Sequence, residues 1–219
     1  MNNKIKIYCI ILSILYTVVV ICSMSDTIES FKAGYKIGRE SSPNTPWYML
    51  TLHLRVLPIE GLHTYPEKII NSVTGQEVRA EANNYKIRIE NSNIDIPVYV
   101  KVFRGFIIAL SVVFLAGIIY LPFLFFSVIK SATKGKILEP KVIHKIQRIG
   151  YILIIYYLID SLAYFSDYLV AQYVMTFEKY RAVIDVSDFG LLFLGLVTLL
   201  MTEILKVSRQ MKEEQDLTI

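Results

Sequence analysis

The sequence predicts a membrane α-helical protein: a four-transmembrane-helix bundle with a small extracytoplasmic β-rich domain between helices 1 and 2. Three observations predict it. Of the 219 residues, 54% are hydrophobic and only 19% are charged, against about 25% charged in a soluble domain. The apolar residues fall in long blocks rather than in amphipathic stripes, and blocks of roughly 18 or more read as membrane spans. The segment between the first two blocks is polar and carries the period-2 alternation of half-buried strands.

The blocks cover 5–24, 105–129, 149–175 and 189–205. Each can cross a hydrocarbon core of about 30 Å at about 1.5 Å per residue, the last one barely. Helices are the expected form because lipid leaves an open backbone unsatisfied. Pro122 is expected to kink the second span near its inner end. Lys4 and Lys6 would suit a signal peptide, but the block is longer than a signal core and no A-x-A site follows. Val19-Val20-Ile21-Cys22 matches a lipoprotein signal only loosely, with Ile21 where a small residue is needed. The first block is therefore read as an anchor.

Lysine and arginine set the orientation. The loop 130–148 holds Lys130, Lys134, Lys136, Lys141, Lys145 and Arg148 against one acid, Glu139, and the tail 206–219 adds Lys206, Arg209 and Lys212. The loop 176–188 holds only Lys179 and Arg181, offset by Glu178 and Asp185. The basic loop and both termini are thus expected in the cytoplasm, with 25–104 and 176–188 outside. A net charge of +4, with the bases beside the spans, argues against direct nucleic-acid binding. Cys9 and Cys22 both lie in the first block, so no disulfide framework is available outside.

Within 25–104, Leu50, Leu52, Leu54 and Val56 alternate with polar neighbours, as do Tyr85, Ile87 and Ile89. Ile94, Ile96, Val98, Val100 and Val102 repeat the pattern, with Asn91-Ser92-Asn93 as a hairpin turn and Thr74-Gly75 as a second turn. Pro97 would make the last of these strands an edge. Ser41 to Pro46 reads as a loop, and Trp47 and Tyr48 suit either the headgroup region or the domain core.

The sharpest polar feature is Asp160, near the middle of the third span, with Tyr157, Tyr164, Asp167 and Tyr168 on its helical face. A carboxylate at that depth costs about 2.5–3.5 kcal/mol on insertion scales. No lysine, arginine or histidine lies in the middle of a span, so the group either carries a proton or stays hydrated in a crevice opening outward past Asp167. Depth-matched hydroxyls are Tyr16, Thr17, Tyr120 and Thr198. The stripe 157, 160, 164, 167 is a candidate proton, cation or ligand site; interhelical hydrogen bonding that fixes the bundle is the favoured alternative. Asp188 and Glu203 read as interfacial, Asp188 as a helix cap.

In the basic loop, Val142, Ile143, Ile146 and Ile149 oppose Lys141, His144, Lys145 and Arg148 in a short amphipathic helix opened by Pro140. Such a helix can lie on an anionic leaflet or dock a protein. Candidate partner-binding residues are Lys141, Lys145 and Arg148 here, and Asp216, Leu217 and Ile219 in a tail that is helical to about Lys212. His53, His63 and His144 lack metal-ligand spacing, and no catalytic or nucleotide fingerprint is present. The S-x-x-K match at Ser131 to Lys134 lacks its companion motifs, and the GxxxG spacing of Gly34 and Gly38 falls outside the spans. No enzyme activity, cofactor or metal is expected.

The chain ends Lys212-Glu213-Glu214-Gln215-Asp216-Leu217-Thr218-Ile219, and Lys134-Gly135-Lys136-Ile137-Leu138 precedes Ile146, Arg148, Ile149 and Gly150. Both segments, in this order around four spans, resemble the bacterial membrane proteins of domain of unknown function 2975. The resemblance covers mainly 105–219. It implies no enzyme activity. Because short members often accompany a small helix-turn-helix regulator, it implies such a regulator as a cytoplasmic partner. The expected role is a sensor, scaffold or regulator in the bacterial cytoplasmic membrane. The alternative is a small-solute or ion transporter component using Asp160, which at this size would need to form a homo-oligomer.

Overall fold

The computed structural model describes residues 51–61, 63–88, 96–185 and 189–217, with isolated positions between 7 and 39. The elements run β1 (Thr51–Pro58), β2 (Glu67–Ile70), β3 (Glu77–Ala80), β4 (Asn84–Arg88), α1 (Val98–Thr133), α2 (Pro140–Val174), β5 (Tyr180–Val183) and α3 (Phe189–Leu217). All three helices are long and apolar enough to cross a membrane. The first predicted span falls mostly outside the described residues; within it, the described Ile7, Ile10, Ile11 and Ile14 are helical. The expectations for Ser41–Trp47, Asn91–Asn93 and Asp188 also lie outside them.

The chain divides into two compact units. One holds 35–110 and 159–187, the other 1–34, 111–158 and 188–219. In the first, a three-stranded antiparallel sheet has the order β4-β1-β5. The alternation predicted for β1 holds: Leu52, Leu54 and Val56 are buried, while His53 and Arg55 point out. Each buried aliphatic side chain contributes about 1.5–3 kcal/mol. They pack with Ile96, Val100, Val170, Ala171 and Tyr180, so the sheet rests on the adjoining ends of α1 and α2. Tyr85 of β4 stacks on Phe177 and meets Tyr180 edge-on, each with centroids 5.6 Å apart.

Two expectations are overturned here. Residues 98–102 do not form a strand; they are the first turns of α1. A strand would place 96, 98, 100 and 102 on one face. Instead Ile96, Val100, Arg104 and Ile107 are buried, at helical spacing, while Val98 and Val102 are 73% and 66% exposed. Pro97 is no strand edge but opens the helix, its carbonyl accepting from the Val100 and Lys101 amides at 3.0 and 3.3 Å. Valine and isoleucine fit a lipid-facing helical surface as well as a strand, so the alternation misleads. The second correction is β5. The short connection after α2 supplies an edge strand, with Arg55 opposite Val183 and Pro58 opposite Tyr180. The Thr74-Gly75 turn is present, between β2 and β3, with Gly75 at φ 70°.

In the second unit, α1 ends in a Schellman cap. Gly135 sits at φ 72°. Its amide donates to Ala132 and the Lys136 amide to Ser131, both at 3.0 Å. Pro140 starts α2 as predicted. The amphipathic segment 141–149 is not a separate surface helix, however, but the continuous beginning of α2, whose 35 residues span about 52 Å. Helix α3 likewise continues to Leu217, five residues past the expected end. Helices α2 and α3 touch at two glycines. A Cβ on Gly150 would lie 2.8 Å from Leu199, and one on Gly195 2.7 Å from Ile154 and 3.1 Å from the Gly150 carbonyl. Small residues that admit close backbone approach are how apolar helices associate in lipid.

Replacing Gly195 by valine is therefore expected to cost about 1–3 kcal/mol in detergent unfolding. Gly117→Ala, whose Cβ meets only Phe114 at 3.7 Å, should be neutral or mildly stabilising. Equal losses in the two variants would refute the packing role. A pH effect is expected in the sheet. The Tyr85 hydroxyl donates to Glu67, and this bond, with burial, raises its pKa well above the ordinary 10.0. A raised folded pKa makes the contribution complete below pH 10 and lost as pH climbs further. Thermal melts should fall above pH 10, and more steeply than in Tyr85→Phe.

Candidate functional site

The polar stripe predicted on the third span lies on α2, and the two units divide it. Tyr157 is buried in the helical unit, its ring 5.8 Å from that of Phe189. Asp160, Tyr164 and Asp167 belong to the sheet unit, and all three are half-buried. Asp160 has an interaction partner. Tyr168 accepts a hydrogen bond from Gln172 at 2.7 Å.

Asp167 is where the stripe becomes a junction. Arg104 Nη1 donates to its Oδ1. The His53 backbone amide donates to its Oδ2 at 2.8 Å. The second guanidinium nitrogen, Nη2, donates to the Thr51 carbonyl at 3.1 Å. The His53 ring stands 3.7 Å from Oδ2 at Nδ1. One ion pair, with side chains 9% and 13% exposed, thus ties α1, α2 and the first residues of β1 together. Both carboxylate oxygens of Asp167 accept hydrogen bonds. The Arg104 Nε atom is buried without a hydrogen-bond partner among the described residues.

Sequence reading missed Arg104 because it was placed at the end of the β-rich segment, before the span. Its signal was present: Arg104 follows Ile96 and Val100 at intervals of four, on the face that packs inward. The hydrogen bonds from Thr51 and His53 are made by backbone atoms, which no side-chain pattern reveals. Above this junction, Tyr99 and Tyr173 join their hydroxyls at 2.9 Å.

The other candidate residues lie at the far ends of the helices. Lys141 and Arg148 are exposed on α2. Lys145 is half-buried, and its Nζ donates to Ser127 Oγ at 2.6 Å, bracing α2 against α1. Asp216 and Leu217 are exposed at the end of α3, and Ile219 lies outside the described residues. A shallow hollow joins the two helices, lined by Pro140, Ile143 and His144 on one side and Lys206, Arg209 and Glu213 on the other. Within α3, Arg209 Nε pairs with Glu213 and Lys206 Nζ with Glu203, both at 2.7 Å. No cluster of three or more histidine, cysteine or acidic residues suited to a metal occurs among the described residues.

A protein family described as "Protein of unknown function (DUF2975)" matches residues 65–219. The match extends well beyond the segment 105–219 on which the resemblance rests, reaching back to β2. It includes Arg104 and Asp167 but not β1, the central strand of the sheet. No curated protein and no solved structure matches the chain significantly.

Removing one member of a buried ion pair leaves the other charge uncompensated, at a cost of about 3–5 kcal/mol. Arg104→Met should lose that much stability in detergent unfolding, and adding Asp167→Leu should restore most of it. If the double variant is as unstable as the single one, the pair does not hold the junction.

Proposed function

The chain belongs to the DUF2975 family, and from that premise we propose a non-enzymatic sensor or scaffold of the bacterial cytoplasmic membrane. Four helices cross the bilayer, counting the segment 5–24, with both termini and the α1–α2 connection in the cytoplasm. The sheet unit lies outside and receives a signal. The basic start of α2 and the end of α3 hold a cytoplasmic partner, by family resemblance a small helix-turn-helix regulator.

The observation that carries this reading is the Arg104–Asp167 pair. It fixes the start of β1 to two long helices at once. A displacement of the sheet therefore pulls on α1 and α2 directly, and α2 is one uninterrupted helix down to Pro140. The hollow beside His144 and Arg209 offers a partner both helix ends together. The lysine-rich connection supports the cytoplasmic assignment of these ends.

The second reading, a small-solute or ion transporter component, draws on Asp160, an acid midway along an apolar helix. Two variants separate them. Deleting 216–219 should abolish co-purification of a helix-turn-helix protein from the native membrane and leave solute flux unchanged. Asp160→Asn should preserve that co-purification. Loss of a measured flux in Asp160→Asn, with co-purification indifferent to the deletion, would favour the transporter and overturn the sensor.

A further inference from the structure

Beside the main sheet, the sheet unit carries a second pocket-forming element, the two-stranded ribbon β2–β3. Its register places Lys68 directly opposite Arg79. Side chains directly opposed across an antiparallel pair share one face, and like charges there are destabilising. Lys68 is partly relieved by Glu77, 2.8 Å from its Nζ. Arg79 has no ion pair among the described residues. Both cations line a cavity of about 320 Å³, together with Lys179 from the segment before β5. That volume is within the range of small-molecule sites, about 300–1,000 Å³.

The wall facing these cations is a loop of unusual backbone. Gly61, His63 and Tyr65 all have positive φ, at 115°, 65° and 46°. Non-glycine residues in this region are strained and persist where surrounding contacts over-determine them, as at ligand clamps. Here the contacts are specific. The His63 amide donates to Glu81 at 3.1 Å, the Thr64 hydroxyl to the Gly61 carbonyl at 2.9 Å, and Lys179 Nζ to the Pro66 carbonyl at 3.3 Å. The bends bring Tyr65 and Pro66 to the cavity, as an apolar floor beside the three cations. Glu60 and Glu178 also line it.

The geometry points to a binding site for a hydroxylated phosphate group in this pocket. Three separate cations suit an anion with several oxygens, and an arginine side chain can engage two of them at once. The two glutamates act as acceptors for hydroxyls next to the phosphate. The bound anion would offset the repulsion between Lys68 and Arg79 that the ligand-free ribbon carries. The site rests on the reading that the sheet unit is the receiving end, and it names what that end receives. The same chemistry is presented by a free sugar or polyol phosphate and by a glycerol-phosphate lipid headgroup.

The test uses the full-length chain in nanodiscs of phosphatidylcholine, titrated calorimetrically with glycerol 3-phosphate and with inorganic phosphate. A second preparation in phosphatidylglycerol nanodiscs is scored for lipid retained through exchange into phosphatidylcholine. Saturable binding of the soluble probe identifies a free solute, and selective retention of phosphatidylglycerol identifies a headgroup; either supports the site. Arg79→Gln should weaken it by about tenfold or more, while Lys86→Gln, on an exposed residue outside the pocket, should change it less than about twofold. No saturable binding below about 10 mM in either format, or equal losses in both variants, overturns the proposal. A second measurement guards against trivial unfolding. Without ligand, Arg79→Gln should raise hydrogen-exchange protection of the β2–β3 amides by about two- to fivefold, because it removes a like-charge contact. Lowered protection would make Arg79 a structural residue and overturn the site. Partner co-purification is scored separately, so a failed phosphate site leaves the sensor reading standing, and the reverse also holds.

Discussion

A buried guanidinium–carboxylate pair is the constraint on which the sheet unit depends. Arg104 and Asp167 sit on apolar helices, where an isolated charge is costly. Each answers the other, and each then has hydrogen-bonding capacity left over. That capacity goes to β1: the Thr51 carbonyl for the arginine, the His53 amide for the aspartate. The strand's first residues are thereby held at a fixed place on the helices. The alternation of Leu52, Leu54 and Val56 then decides which face turns inward. Slipping the strand by one residue would expose all three and strand both charges, so packing and electrostatics enforce the same register.

The two units use different means to hold their helices. In the sheet unit the helix ends are joined through an ion pair, a tyrosine pair and an aliphatic core shared with β1. In the helical unit the contacts are backbone approach at Gly150 and Gly195 and the Lys145–Ser127 bond. Apolar side chains alone give no preference for helix over lipid, so specific contacts must supply it. The glycine of the segment resembling the family's second motif, Gly150, is one of these contacts. Gly135, in the other half of that segment, closes the Schellman cap. Local backbone requirements at a helix end and a helix crossing thus account for two residues of a short motif.

The central strand adds a point about family boundaries. The matched residues 65–219 supply β4 and β5, which both pair with β1 and not with each other. The strand that completes the sheet comes from the chain before the match. The matched region is therefore not a self-sufficient sheet: the buried face of Leu52, Leu54 and Val56 comes from outside it.

Read alone, the sequence determined three long apolar helices of the four spans it predicted, the inward face of Leu52, Leu54 and Val56, the turn at Gly75 and the helix start at Pro140. Each follows from a local rule: block length, period-2 alternation, a left-handed glycine, a proline that pre-sets φ. It did not determine where α1 begins, because valine and isoleucine serve a lipid-facing helix and a strand equally. Nor did it determine β5, whose four residues become a strand only when β1 lies beside them. The polar stripe was legible as a set of residues on one helical face, but its meaning was not. Only tertiary structure decided that Asp167 belongs to Arg104 and to the His53 amide of a strand more than a hundred positions away. Pairing across that separation is fixed by packing, and no local pattern encodes it.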